Sequence, residues 1–206
     1  VKTASRSLYY LQHGGRIIWI VCLLVLILAG VVYPLSAPEA RYAMLNTQGQ
    51  YYLHRTNSLD GLTYLATDSA NPGDYDAIRW LNANVSGDSV IVEAIGDDYS
   101  NAGRISAFTG LPTPMGWIGH ELQWRINWFN KTGNATEFQR RGSDVDTIYK
   151  SSDPATVLSL MAHYNAQYLY VGPVEYAKYP TVNLHRYSTF MQVVYNAEGV
   201  TIYKVR

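Results

Sequence analysis

The sequence predicts an α/β domain behind a single membrane helix, and three observations carry that reading. Residues 17–33 read IIWIVCLLVLILAGVVY, with no charged residue. Two short apolar runs, 89–94 and 167–171, lie on either side of a strong helix-start signal at Asp153-Pro154. Two further runs, 191–195 and 200–205, flank Asn-Ala-Glu-Gly near the end of the chain. Strand, loop, helix, strand is a βαβ-like order. The predicted architecture is therefore one N-terminal transmembrane helix, then a small sheet covered by helices, with a long ordered loop after the first core strand.

The apolar run is at the short end of what spans a bilayer, and Gly14, Gly15 and Leu35 extend it. Trp19 and Tyr33 lie near its ends, where amphipathic rings favour the interface. A cleaved signal peptide has a shorter apolar core, and Pro38 after Ala37 hinders cleavage there, so a retained anchor is expected. Lys2, Arg6 and Arg16 precede the run and no acid does, which places this end in the cytoplasm. All 16 acids follow residue 38 against 13 of the 16 Lys and Arg, a formal charge of −3 for the outer part. A basic face for nucleic acid is not expected. The expected organisation is a cytoplasmic end or loop at 1–16, a transmembrane helix at 17–35, a tether packing on the domain at 36–71, and an extracytoplasmic α/β domain at 72–206. Val1 in place of Met leaves two readings. One is a fragment whose apolar run is the last span of a larger membrane protein; the other is a start codon read as Val.

About 170 residues follow the anchor, enough for one domain with its own core. Cys22, the only cysteine, falls within the span. The outer domain thus has no disulfide and no cysteine-ligated metal. The 18 tyrosines suit surfaces that bury a ring and keep a hydroxyl wet.

Residues 74–83 read as a helix after Pro72-Gly73, with Asp74 as a cap and Ile78 and Leu81 on one face. Gly87-Asp88 turns into the first buried strand, 89–94. Residues 144–149 read as a weak strand or turn. Asp153 at a cap with Pro154 at the first helical position opens a second helix, continued by Val157, Leu158, Met161 and Tyr164 at helical spacing. Residues 167–171 form a second buried strand, ended by Gly172-Pro173, and the last two runs read as a closing hairpin.

The segment 103–125, GRISAFTGLPTPMGWIGHELQWR, sets aromatic rings beside charged side chains with no helical or strand period. Long ordered loops are costly and usually functional. Polar groups among large apolar ones suit a pocket for a polar ligand. Glu93 ends the preceding strand, Asp97, Asp98 and Tyr99 follow, and Arg104, His120, Glu121 and Arg125 return in the loop. Ligands gather beyond the carboxyl ends of strands in α/β sheets. Acids with a histidine are chemically able to bind a divalent metal or to act as acid and base. The competing reading is a buried ion-pair lattice in which Arg104 and Arg125 brace the carboxylates.

Several chemistries lack their motif. Trp124 stands where the second histidine of a zinc-protease helix belongs, and neither a phosphate-binding loop nor a dinucleotide fingerprint occurs. A nucleophile elbow is also missing. A free-standing hydrolase using Glu93, Asp98 and His120, with Ser100 or Ser106 nearby, therefore has charge clustering but no established signature. Asn84-Val85-Ser86, Asn130-Lys131-Thr132 and Asn134-Ala135-Thr136 fit the N-glycosylation acceptor pattern.

The stretches 74–125, 140–154 (RRGSDVDTIYKSSDP) and 168–180 (YLYVGPVEYAKYP) together resemble the YYY membrane protein family of Chloroflexi and archaea, collinearly over about 55–205. The hydrophobic half of that family is similar to the GT-C glycosyltransferase superfamily, whose members move a sugar from a polyprenyl-phosphate donor on the outer face of the membrane. The resemblance implies that this chain is the last span and the outer C-terminal domain of a polytopic protein, with upstream transmembrane helices of the same protein and the lipid bilayer as partners. It implies a polyprenyl-phosphate sugar donor and a glycan or lipid acceptor. GT-C enzymes carry the catalytic acid in the first outer loop, so that acid is expected outside this segment. By analogy with the C-terminal domains of oligosaccharyltransferases, Trp117, His120, Glu121, Trp124 and Arg125 would shape an acceptor or headgroup pocket. Glu93, Asp98, Tyr99 and Arg104 complete the expected substrate-binding set. No cofactor is evident in this segment; a divalent metal in the full-length protein is compatible with the resemblance. The alternative function is a non-enzymatic, membrane-anchored envelope or scaffold domain.

Overall fold

The computed structural model describes residues 2–45, 51–53, 60–67 and 70–206, with side chains described at 13–37, 60–66 and 70–206. The chain divides into two compact units, Val1–Asn57 and Ser58–Arg206. The expected tether at 36–71 lies partly outside the described residues.

In the first unit, helix α1 spans Lys2–Tyr42 and is followed by the antiparallel pair β1 (Ala43–Leu45) and β2 (Tyr51–Leu53). Within α1, His13–Ala37 is long and apolar enough to cross a membrane. Its large apolar side chains are exposed, Leu26 and Leu28 by about two-thirds. The helix runs past the expected end at residue 35. Pro34 removes one intrahelical donor, yet the turn around it holds, with the Ser36 hydroxyl donating to the Val32 carbonyl (2.7 Å).

The second unit is built on a four-stranded sheet, confirming the α/β class. Its strands are β3 (Val90–Val92), β4 (Ala166–Val171), β5 (Gln192–Ala197) and β6 (Val200–Lys204), in the order β3-β4-β6-β5. The β3–β4 pair is parallel and the other two pairs are antiparallel. The β5–β6 hairpin closes through Glu198 and Gly199, both with positive φ (48° and 80°). That handedness matches the strand twist.

Alternation along the strands divides the core between the two faces of the sheet. Val92, Leu169, Val171 and Tyr203 pack with Val145, Ile148 and Tyr149 of α6 (Asn134–Lys150) and with Val157 and Met161 of α7 (Pro154–His163). Ile91, Tyr168, Tyr170 and Ile202 face Ala77, Ile78 and Leu81 of α2 (Asp74–Asn84) and Ile105 of α3 (Arg104–Thr109). Asp153 caps α7 as expected: its carboxylate accepts from the Ala155 and Thr156 amides (3.1 and 3.0 Å), with Pro154 at the first position.

Three local readings change. Asp74 is not the cap of α2. Gly73, in the left-handed conformation (φ 81°), occupies that position. An added Cβ there would lie 2.5 Å from the Glu198 carbonyl oxygen, so the turn requires glycine. Residues 144–149 are neither strand nor turn but the last part of α6. Phe138, Val145, Ile148 and Tyr149 recur on one buried stripe of this 17-residue helix. The segment after β3 is ordered as two short helices, α3 and α4 (Ile118–Trp124), joined by irregular chain. A third, α5 (Ile126–Phe129), follows, and α8 (Pro173–Lys178) lies beyond β4.

Candidate functional site

The carboxyl ends of β3 and β4 lead into a buried polar knot. Glu93 directly follows β3, and Gly172 and α8 directly follow β4. Asp74, Glu93, Arg104 and Glu175 are all buried, at 5% exposure or less. The Arg104 guanidinium donates to Asp74 through Nε and, at 3.2 Å, through Nη2, and Nη2 also lies 3.3 Å from Glu175 Oε2. Tyr170 completes the set: its hydroxyl donates to Asp74 Oδ1 (2.6 Å) and its ring lies 5.2 Å from the guanidinium carbon. Glu175 accepts from the Ala94 and Gly172 amides (2.9 Å each). Burial opposes the charge of Arg104, but Glu175 and Asp74 outweigh it and raise its pKa further above the ordinary arginine value.

Glu93 sits behind α3 and accepts from the Ile105 and Ser106 amides (2.9 and 2.8 Å), so it holds the start of that helix. Burial pushes its carboxyl above the usual range, against the pull of the Ser106 amide, the Arg104 charge and the Ile105 amide. Asp98 holds the start of α4 in a similar way, accepting from the Gly119 amide (2.9 Å). A Cβ at Gly119 would fall 2.0 Å from Asp98 Oδ2, which explains the glycine.

The other expected residues gather on α4. Trp117, His120, Glu121, Trp124 and Arg125 recur at the spacing of one helical face. With Gly103, Ser106, Ala107 and Gly116 they line an open cleft of about 450 Å³. The Trp117 indole N–H donates to the Ala102 carbonyl, which fixes its ring. The His120 ring stands edge-on to Trp117, with centroids 5.1 Å apart, and to Tyr99, at 4.9 Å. Tyr99 adopts a positive φ (59°) and is 82% exposed. Arg125 donates to Glu121 Oε2 (2.9 Å), and this pair is open to solvent. Its guanidinium also lies 5.7 Å from the Trp128 ring. Trp124 is 79% exposed.

The nine expected residues thus fall into two places. Trp117, His120, Glu121, Trp124 and Arg125 line the cleft, and Tyr99 packs against the Trp117 and His120 rings, tilted to the first and edge-on to the second. Glu93, Asp98 and Arg104 stand outside the lining, holding helix starts or the buried knot. Arg104 braces carboxylates as the lattice reading expected, but Arg125 does not join it. Sequence reasoning missed Asp74, Tyr170, Gly172 and Glu175 as members of the knot. Proline at the first position of α8 with glutamate two residues later was a usable local sign of Glu175. Among the described residues no three His, Cys, Asp or Glu side chains converge to hold a metal.

No protein-family model matches the chain. No curated protein matches it significantly. Among solved structures it is similar to the crystal structure of the C-terminal globular domain of an oligosaccharyltransferase from Archaeoglobus fulgidus. That likeness has 10% identity and a TM-score of 0.39, and covers 64% of this chain and 95% of the other.

Proposed function

We propose that this chain is the last span and outer C-terminal domain of a polytopic, GT-C-like glycosyltransferase, and that the α4 cleft receives a glycan or lipid-headgroup acceptor. The observation that carries this reading is the single face of α4 on which two tryptophans, a histidine and a solvent-open ion pair line one cleft. The exposed Trp124 face offers a stacking surface for a sugar ring. Arg125, tied to Glu121 by one nitrogen, keeps other donors for a phosphate or carboxylate, which a guanidinium meets with two parallel bonds. Glu121 and His120 offer acceptors and donors to hydroxyls. The basic residues before the apolar run at 17–33 and the acids after it support an outer location for the cleft. In this reading these residues bind and orient the acceptor, and the acid that assists bond breaking lies in an earlier loop of the full-length protein.

The test is sugar transfer by the intact protein in membranes, with a radiolabelled polyprenyl-phosphate sugar as donor. Trp124→Ala and Arg125→Ala are each expected to lower transfer by roughly tenfold, the effect of losing about 1.4 kcal/mol. Unchanged transfer in both variants refutes the cleft assignment. No transfer by the unmodified protein, across several donors, favours the envelope or scaffold domain instead.

A further inference from the structure

We propose that Asn130 is an N-glycan acceptor, one of three positions that fit the sequence pattern and the one whose geometry suits transfer. Asn84 is the last residue of α2, and its amide donates to the Trp80 carbonyl (2.8 Å). Asn134 is the first residue of α6, and its amide donates to the Trp128 carbonyl (2.7 Å). Modifying either costs an existing hydrogen bond and requires a helix end to open so that the hydroxyl two residues on can be reached. Asn130 lies in the connection between α5 and α6. Its backbone closes α5 by donating to the Ile126 carbonyl (3.0 Å), and its side-chain amide makes no hydrogen bond among the described residues. Asn130, Lys131 and Thr132 are all exposed. The chain then reverses at Gly133, in the left-handed conformation (φ 84°), and the Asn134 amide closes the turn on the Lys131 carbonyl (3.1 Å). Asparagine and threonine of the acceptor pattern thus share one open turn outside any helix, where surface chain is most easily drawn into another enzyme's site.

The co-reactant is a lipid-phosphate- or lipid-pyrophosphate-linked saccharide. The new bond joins Asn130 Nδ2 to the anomeric carbon of the sugar. The bond from that carbon to the phosphate oxygen breaks, the lipid phosphate leaves with that electron pair, and one amide proton passes to a base of the transferring enzyme. The proposal rests on the outer location argued above.

The experiment is peptide mapping by mass spectrometry of the intact protein from its own membranes, carrying an added Asn-Ala-Thr tag after Arg206 to report the side. Trypsin cuts after Arg125, Lys131 and Arg140, so Asn130 and Asn134 fall in different peptides. Glycan on peptide 126–131 is expected, lost in N130Q and in T132A and kept in N134Q and N84Q. Glycan on the tag with peptide 126–131 bare overturns the Asn130 assignment and leaves the outer location standing. A bare tag together with a bare Asn130 overturns both. Glycan on 126–131 that survives T132A overturns the acceptor pattern as its cause.

Discussion

Two arginines in the segment after β3 pair with carboxylates, and they teach opposite lessons. Arg104 with Asp74 and Glu175 is sealed, with side chains at most 4% exposed. Arg125 with Glu121 is open, at 51% and 27%. The chemistry is the same and the surroundings differ. In the sealed knot every charge has given up water, so removing one partner strands the rest. In the open pair water screens both charges, the pairing contributes little to stability, and the groups stay available to a ligand. Charge clustering in sequence therefore marked two different things, a fold clamp and a candidate binding wall.

The largest effect that can break this comparison is Arg104→Ala. It leaves Asp74 and Glu175 buried without their counter-charge and should destabilise the domain by about 3–5 kcal/mol, read by chemical denaturation in detergent. A near-normal midpoint would mean the knot is not a clamp. Gly172→Ala comes next. Its Cβ would stand 2.7 Å from Tyr170 Cε1, 3.2 Å from Asp74 Oδ1 and 3.3 Å from Arg104 Nη2. Backbone conformation is not the obstacle, since this residue is extended. The expected cost is about 1–3 kcal/mol from overpacking, measured the same way.

Alkaline titration sharpens the contrast from the side of the knot. Burial raises the pKa of Tyr149, and for Tyr170 burial and the Asp74 charge do so together, while Tyr179 and Tyr187 are raised mainly by burial. A raised phenol means that the fold holds the proton more tightly than the unfolded chain does. Stability is therefore complete below the ordinary tyrosine value of about 10 and is lost as pH climbs toward the raised values. The buried phenols should ionise together with loss of far-ultraviolet circular dichroism. Phenolate absorbance that rises to completion while the dichroism holds would contradict the burial account. The smallest stability effect belongs to the open pair: Glu121→Gln and Arg125→Ala should each shift stability by no more than about 0.5 kcal/mol.

What sequence could reveal follows the range of the interactions. The Asp153-Pro154 start and the Asn-Ala-Glu-Gly hairpin are local, and the structure has both. Alternation within β4 shows only that it is buried; that Tyr168 and Tyr170 face α2 while Leu169 and Val171 face α6 emerges from packing. Helix α6 was missed because its apolar stripe is sparse, with six residues between Phe138 and Val145 and Gly142 among them. Residues 144–149 taken alone do not reveal the period. The knot was illegible for another reason. Asp74 meets Arg104 and Tyr170 from 30 and 96 residues away, and at the start of α2 it looks like an ordinary cap. In the cleft, Trp117, His120, Glu121 and Trp124 carry helical spacing in plain view. Gly116 and Gly119 mask it in a helix of only seven residues.

The most direct measurement pairs two readings on one double variant, Glu121→Gln with Arg125→Ala, in the intact protein in membranes. Transfer from a radiolabelled polyprenyl-phosphate sugar and the melting temperature are recorded beside the unmodified protein. Loss of transfer with unchanged melting is the predicted result, because the open pair serves a ligand and leaves the fold alone. Full transfer, or a fall in melting temperature as large as that of Arg104→Ala, would contradict it.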